Sequence, residues 1–198
     1  MDIFSHGLWV GAAFEVLNLK FKKSFKVGWT VFWGVFPDVF AFAPLFVWML
    51  GSAIFGGVSF GEFPGPERME PAAHDTFWFF RLASVLYGMS HSLIIFLIVF
   101  FLVCLILKNR SLVLGGWLLH ILIDIFTHSY KFYPTPFLWP ISSWKFDGLS
   151  WAAPWFIITN YLALTIVYLL LYIINKKFQL KKYEAKQQEA KQQEAKLY

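Results

Sequence analysis

The stretch "GGWLLHILIDIFTHSY", Gly115 to Tyr130, sets three ionisable side chains in an otherwise apolar run: His120, Asp124 and His128, at four-residue intervals. Imidazole and carboxylate are the donors that hold zinc or a similar divalent ion. Four residues of helix advance about 400°, so the three share a face while spreading over about 12 Å of axis. One ion reaches His120 and Asp124, but not all three. His128 is left for a second ion, a substrate group or a hydrogen bond to a ligand. An ionisable group at the centre of a helix in lipid costs about 2.5–3.5 kcal/mol on insertion scales, so the trio calls for a function.

The elements that carry such residues follow from composition. The chain of 198 residues is 58% hydrophobic, 21% aromatic and only 15% charged, with a mean hydropathy of +0.57. Soluble domains carry about 25% charged residues. An all-α polytopic membrane bundle of one domain is expected over residues 1–175, followed by a charged tail over 176–198. The single cysteine, Cys104, lies in an apolar run and allows neither an internal disulfide nor a cysteine zinc site. The tail repeat "EAKQQEAKQQEAK" consists of strong helix formers, but its period of five keeps no apolar stripe, so it reads as a solvated helix.

Five spans are predicted: about Ile3–Leu19, Val27–Leu50, Leu82–Leu107, Ser111–His128 and Trp151–Ile174. The start "MDIFSHGLW" has Asp2 and His6 in place of a basic leader region, so the first span is expected to stay in the mature protein. Lysines 20, 22, 23 and 26, then Lys108 and Arg110, then Lys176, Lys177, Lys181 and Lys182 follow alternate spans. The positive-inside rule places these clusters in the cytoplasm, the N-terminus outside and the C-terminus inside. Glu62, Glu67, Glu70 and Asp75 fall on the outer side, where Arg68 and Arg81 are the only basic residues of that loop. The net charge of +5 therefore reports topology, and no nucleic-acid partner is expected. The implied location is a plasma (inner) membrane of bacterial type.

Depth arithmetic connects the polar residues. Counted from the cytoplasmic markers, Asp38 lies about 18 Å up, His6 about 21 Å, and His91 about 25 Å. His120, Asp124 and His128 lie about 15, 21 and 27 Å up. Six ionisable residues from four spans thus share the outer part of a core about 30 Å thick. Four readings compete: interhelical hydrogen bonding alone, a proton or ion pathway, haem ligation, and a metal site. Haem leaves both aspartates without a job. A translocator would more often show internal repeats, and none is evident. The metal reading uses all six residues, as ligands of one or two ions, most simply zinc, or as partners of those ligands.

The ordered motifs resemble those of the YdjM-type inner-membrane metal-dependent hydrolases, the LexA-binding membrane-associated hydrolases. They are "FSHGLWVGAAF" with His6, "VFPDVF" with Pro37 and Asp38, "MSHSLIIF" with His91 and Ser92, "HILIDIFTH", and "PFLWPIS" from Pro136 to Ser142. The likeness covers about residues 3 to 145. It departs at Phe40, where the family often has a second acidic residue, and at "LYG" before "MSHS", where it often has His-Arg-Gly. A more distant likeness is to zinc-dependent phospholipase C, in the ligand order of Asp38, His91, His120 and Asp124. It implies phosphoesters as substrates.

The expected function is metal-dependent hydrolysis of a phosphoester or lipid-linked substrate taken from the outer leaflet. The alternative is a non-enzymatic ion or proton translocator or scaffold. Expected metal ligands are His6, Asp38, His91, His120, Asp124 and His128, with Asp124 and His128 also in catalytic roles. A divalent ion lowers the pKa of water to about 7 and polarises the scissile oxygen. Ser92, Ser129, Lys131 and Lys145 fall near the expected mouth. Helix capping or interhelical bonding is the simpler role for the serines, and snorkelling for the lysines. Trp139, Trp144, Trp151 and Trp155 read as an interfacial belt. His74 and Asp75 read as a loop pair outside the site.

Overall fold

A computed structural model of the chain describes residues 1–21, 25–56, 78–108, 112–130 and 133–194. Expectations for Lys22, Lys23, Glu62, Glu67, Arg68, Glu70, His74, Asp75, Arg110 and Lys131 concern residues outside these ranges. The architecture is all-helical: α1 (Ile3–Phe21), α2 (Val27–Phe55), α3 (Trp78–Ser90), α4 (Leu93–Leu107), α5 (Gly115–Thr127) and α6 (Pro154–Glu194). A short 3-10 turn, Leu112–Leu114, leads into α5. Helix α2 is central, packed against α1, α3 and α5, and α6 lies on α1.

By length and composition α2 and α6 can each cross a membrane, and α3 with α4 make a third candidate if that bent pair is one span. Their outward faces fit that role. Leu97, Ile98, Phe101, Leu102, Leu105 and Ile106 are all exposed on α4, a surface suited to lipid and not to water. Helix α1 has a span's length but a polar interior, and α5 is shorter and largely internal. Helix α6 runs unbroken past Asn175 into the charged tail. At about 1.5 Å per residue its 41 residues reach about 60 Å, twice a bilayer core, so only part of it fits within one.

One expected span is not straight. Between Ser90 and Leu93 the chain turns by 60°, dividing the predicted 82–107 helix into α3 and α4. Ser92 causes the break. Its backbone is extended, and its Oγ accepts from the amides of Ile94 and Ile95, at 3.1 and 3.2 Å, as the N-cap of α4. The same hydroxyl donates to the Trp139 carbonyl, and the Leu93 amide donates to Phe137 O at 2.9 Å. A straight-helix depth for His91 is therefore wrong in its premise. His91 sits at a corner pinned by the 137–139 segment.

Gly116 lets α5 meet α2 backbone to backbone, and Gly34 lets α1 lie close on α2. A Cβ on Gly116 would lie 2.0 Å from Thr30 O, and one on Gly34 would lie 2.7 Å from a Val10 methyl. Close approach through such small residues is how helices pack where lipid gives no hydrophobic drive. Around this contact Phe96, Leu114, Trp117 and Ile121 form a buried cluster backed by Trp33 and Phe100. The indole of Trp117 donates to Ser90 O at 2.6 Å, tying α5 to the end of α3.

Candidate metal centre

The six predicted residues meet in one place. His6, His91, His120 and Asp124 are fully buried, His128 nearly so, and the Asp38 side chain keeps 15% exposure. Each arrives by a different local device. Asp38 follows Pro37, which breaks the hydrogen-bond ladder inside α2. His91 stands at the α3–α4 corner. His120 and Asp124 lie one turn apart on the inner face of α5. His128 caps that helix with extended backbone, φ −113° and ψ 139°. Because α5 ends at Thr127, the His128 ring folds back until its Nε2 is 3.2 Å from Asp124 Oδ1.

Backbone carbonyls fix the ring orientations. His120 Nδ1 lies 2.7 Å from Gly34 O and His128 Nδ1 lies 2.6 Å from Tyr133 O. A carbonyl only accepts, so both nitrogens carry the proton. His91 Nδ1 lies 2.9 Å from Ser90 Oγ and 3.2 Å from Tyr87 O. The Ser90 hydroxyl gives its own proton to Pro37 O at 3.1 Å, so it accepts from His91. In the neutral form of all three rings Nε2 then presents a lone pair inward. Carbonyl-anchored imidazoles of this kind are the usual support of metal ligands.

Those inward atoms face one another. His91 Nε2 and His120 Nε2 are 3.1 Å apart. Asp124 Oδ2 lies 3.1 Å from His120 Nε2 and 3.4 Å from His91 Nε2. Asp38 Oδ1 lies 3.4 Å from His91 Nε2 and 3.7 Å from His120 Nε2. Tetrahedral zinc, with bonds of about 2.0–2.2 Å, sets its ligands about 3.3–3.5 Å apart. The five distances bracket that value, and one atom from each of the four residues lies within 4.8 Å of all the others. Asp124 Oδ2 is buried with no hydrogen-bond partner. Without a cation this arrangement packs lone pairs against lone pairs, which low dielectric makes expensive. The donor set therefore fits a single divalent ion.

The other carboxylate oxygen serves the remaining residues. Asp124 Oδ1 lies 2.8 Å from His6 Nε2, and it also contacts the Met1 amine, which stands 2.7 Å from His128 Nε2. The His6 ring stacks on His120 with centroids 3.7 Å apart. Asp124 thus joins two groups: the four-ligand set on one side, and His6 with His128 on the other.

Several supports were not foreseen. Tyr87 stacks on His91 at 3.8 Å, and its hydroxyl donates to Tyr133 O at 3.2 Å. In the sequence Tyr87 stands one helical turn before His91. Tyr133 holds its carbonyl toward the site with a left-handed φ of 48°, a conformation non-glycine residues adopt mainly under constraint. Asp2 accepts from the Ser5 amide at 3.0 Å and from the Ser5 and Tyr161 hydroxyls at 2.6 and 2.9 Å, capping α1 below His6. Of the groups expected near a mouth, Ser92 is a helix cap. Ser129 is buried, and burial lowers the pKa of the half-covered Lys145. Trp144 and Trp155 are exposed, whereas Trp139 lies over Gly88.

Comparison with known protein families, with curated proteins and with solved structures finds no match to this chain.

Proposed function

We propose that this protein is a membrane-embedded, metal-dependent hydrolase acting on a phosphoester or lipid-linked substrate. The observation that carries the reading is the near-tetrahedral set of Asp38, His91, His120 and Asp124, with both histidines anchored through Nδ1. Zinc suits two imidazoles and two carboxylates at these separations. When bound, such an ion supplies Lewis-acid activation of water and of the scissile oxygen. The chain's own residues supply the rest. His128 Nε2, which the Met1 amine also approaches at 2.7 Å, is the nitrogen placed to take a proton from the attacking water, while Tyr133 O and Asp124 Oδ1 hold the ring. Asp124 orients both groups through its two oxygens. His6 and His128 together can also serve a second ion beside Asp124 Oδ1.

The topology proposed with this activity has five crossings, counting α3 with α4 as one and α1 and α5 as the shorter ones. It places the N-terminus and the site toward the extracytoplasmic face of a bacterial inner membrane. The asymmetry of basic residues supports that orientation. The test of function is elemental analysis of protein purified in mild detergent, beside His120→Ala. About one zinc per chain is expected in the wild type and a large loss in the variant. A wild type that holds no stoichiometric metal, and whose melting does not respond to added zinc, would overturn the reading.

A further inference from the structure

A recess of about 460 Å³ adjoins the metal centre and has two unlike ends. Asp38 and His128 lie at one end, and Asp38 is the one member of the four-ligand set with measurable exposure. Met1, Asp2, Tyr87 and Trp151 also line it, and the remaining wall is hydrocarbon: Val39, Phe42, Ala43, Phe46 and Val47 from α2, with Ile3. Asp38, Phe42 and Phe46 succeed one another by single helical turns, and Val39, Ala43 and Val47 form the neighbouring row. The apolar wall therefore leads directly away from the carboxylate for about 13 Å of helix. Its rim is open: Val39 is 47% exposed, Phe46 58% and Val47 71%. These residues lie on a helix long and apolar enough to cross a membrane, so the opening is on a candidate lipid-facing surface. A larger recess of about 540 Å³ between α1, α5 and α6 has no polar cluster residue in its wall.

We infer that this recess takes the hydrocarbon chain of a single amphiphilic substrate whose anionic head sits at Asp38 and His128. The inference rests on the metal-dependent reading above, because two carboxylates would repel an anionic head unless a cation lies between them. Its physical logic is that of a membrane solvent. A chain moving from lipid into an apolar groove gains little from desolvation, since lipid is already apolar. The groove's role is to hold the chain against α2 while the head reaches the ligands. Recognition then comes from the head, and shape selection from the wall.

The probe is dodecyl phosphate with a terminal diazirine, photolysed in zinc-loaded protein in nanodiscs. Adducts are mapped by peptide mass spectrometry, and zinc is measured on the same samples. Adducts are expected to concentrate on the α2 peptide around Phe42–Val47. A neutral dodecanol diazirine should label that peptide less, and excess inorganic phosphate should compete weakly with the alkyl phosphate. Ala43→Phe fills the wall without touching a ligand, so zinc should remain and labelling of this peptide should fall about tenfold. Labelling spread evenly over the lipid-facing helices, or labelling unchanged in Ala43→Phe with zinc retained, overturns the groove and leaves the metal site standing. Absence of zinc from the wild type overturns the metal reading instead, whatever the labelling pattern.

Discussion

Replacing Asp124 by Asn tests the bridging role most sharply. The change keeps size and shape but removes the charge and turns one oxygen into an NH2 group. That side chain is fully buried, with Oδ2 3.1 Å from His120 Nε2 and Oδ1 2.8 Å from His6 Nε2. Mutating a partner that only supports a metal ligand typically weakens binding by about 10–100-fold, so losing a ligand itself should exceed about 100-fold. The consequence for stability follows by linkage. With free zinc at about 100 times the wild-type Kd, binding stabilises the fold by about 2.7 kcal/mol. A variant binding about 100-fold more weakly gains only about 0.4 kcal/mol from the same zinc. At about 2–4 °C per kcal/mol, the zinc-dependent rise in Tm shrinks from about 5–11 °C to about 1–2 °C. The assay is thermal unfolding by intrinsic tryptophan fluorescence in detergent, with and without zinc after chelator treatment, beside elemental analysis. If Asp124→Asn shows the same zinc-dependent rise as wild type, Asp124 is not a ligand and the bridging argument fails.

Other substitutions separate metal holding from catalysis and from packing. His128→Ala leaves the four-ligand set intact. It is expected to retain about one zinc while slowing alkyl phosphate hydrolysis by about 10²–10⁴-fold, as rates in zinc-loaded nanodiscs would show. Gly116→Ala drives a methyl to 2.0 Å from Thr30 O and should destabilise the protein by about 3 kcal/mol, read as lowered Tm whether or not zinc is present. Asp2→Ala removes the α1 cap and should cost about 1 kcal/mol of stability, with zinc content nearly unchanged. Equal zinc loss in Asp2→Ala and His120→Ala would show that the centre responds to any disturbance of the bundle.

The apolar composition, the helical elements and the six polar positions were legible because each is a local property. Hydropathy needs only a window of sequence, and four-residue spacing on a helix puts His120 and Asp124 on one face wherever the helix lies. Shared depth already suggested partners from other helices. What the sequence could not supply was direction. Ser92 breaks a run that looks continuous by hydropathy, because its cap and the contacts of residues 137–139 outweigh an uninterrupted apolar pattern. That corner aims His91 at Asp38 and Asp124. Likewise His128 belongs by spacing to the next turn outward, yet α5 ends one residue earlier and the ring turns back toward Asp124.

The sequence by itself determined an all-helical chain with helices apolar enough to cross a membrane and six ionisable residues set among them, because burial cost and helical periodicity act residue by residue. Only the tertiary structure decided that Asp124 divides its oxygens between two sets of histidines. Only there do Gly34, Tyr133 and Ser90 select the tautomers that turn lone pairs inward. The physical reason is range. Propensity and hydropathy are settled within a turn or two of chain, whereas a ligand cage about 3.3 Å on an edge depends on backbone carbonyls and close helix contacts from elements far apart in sequence.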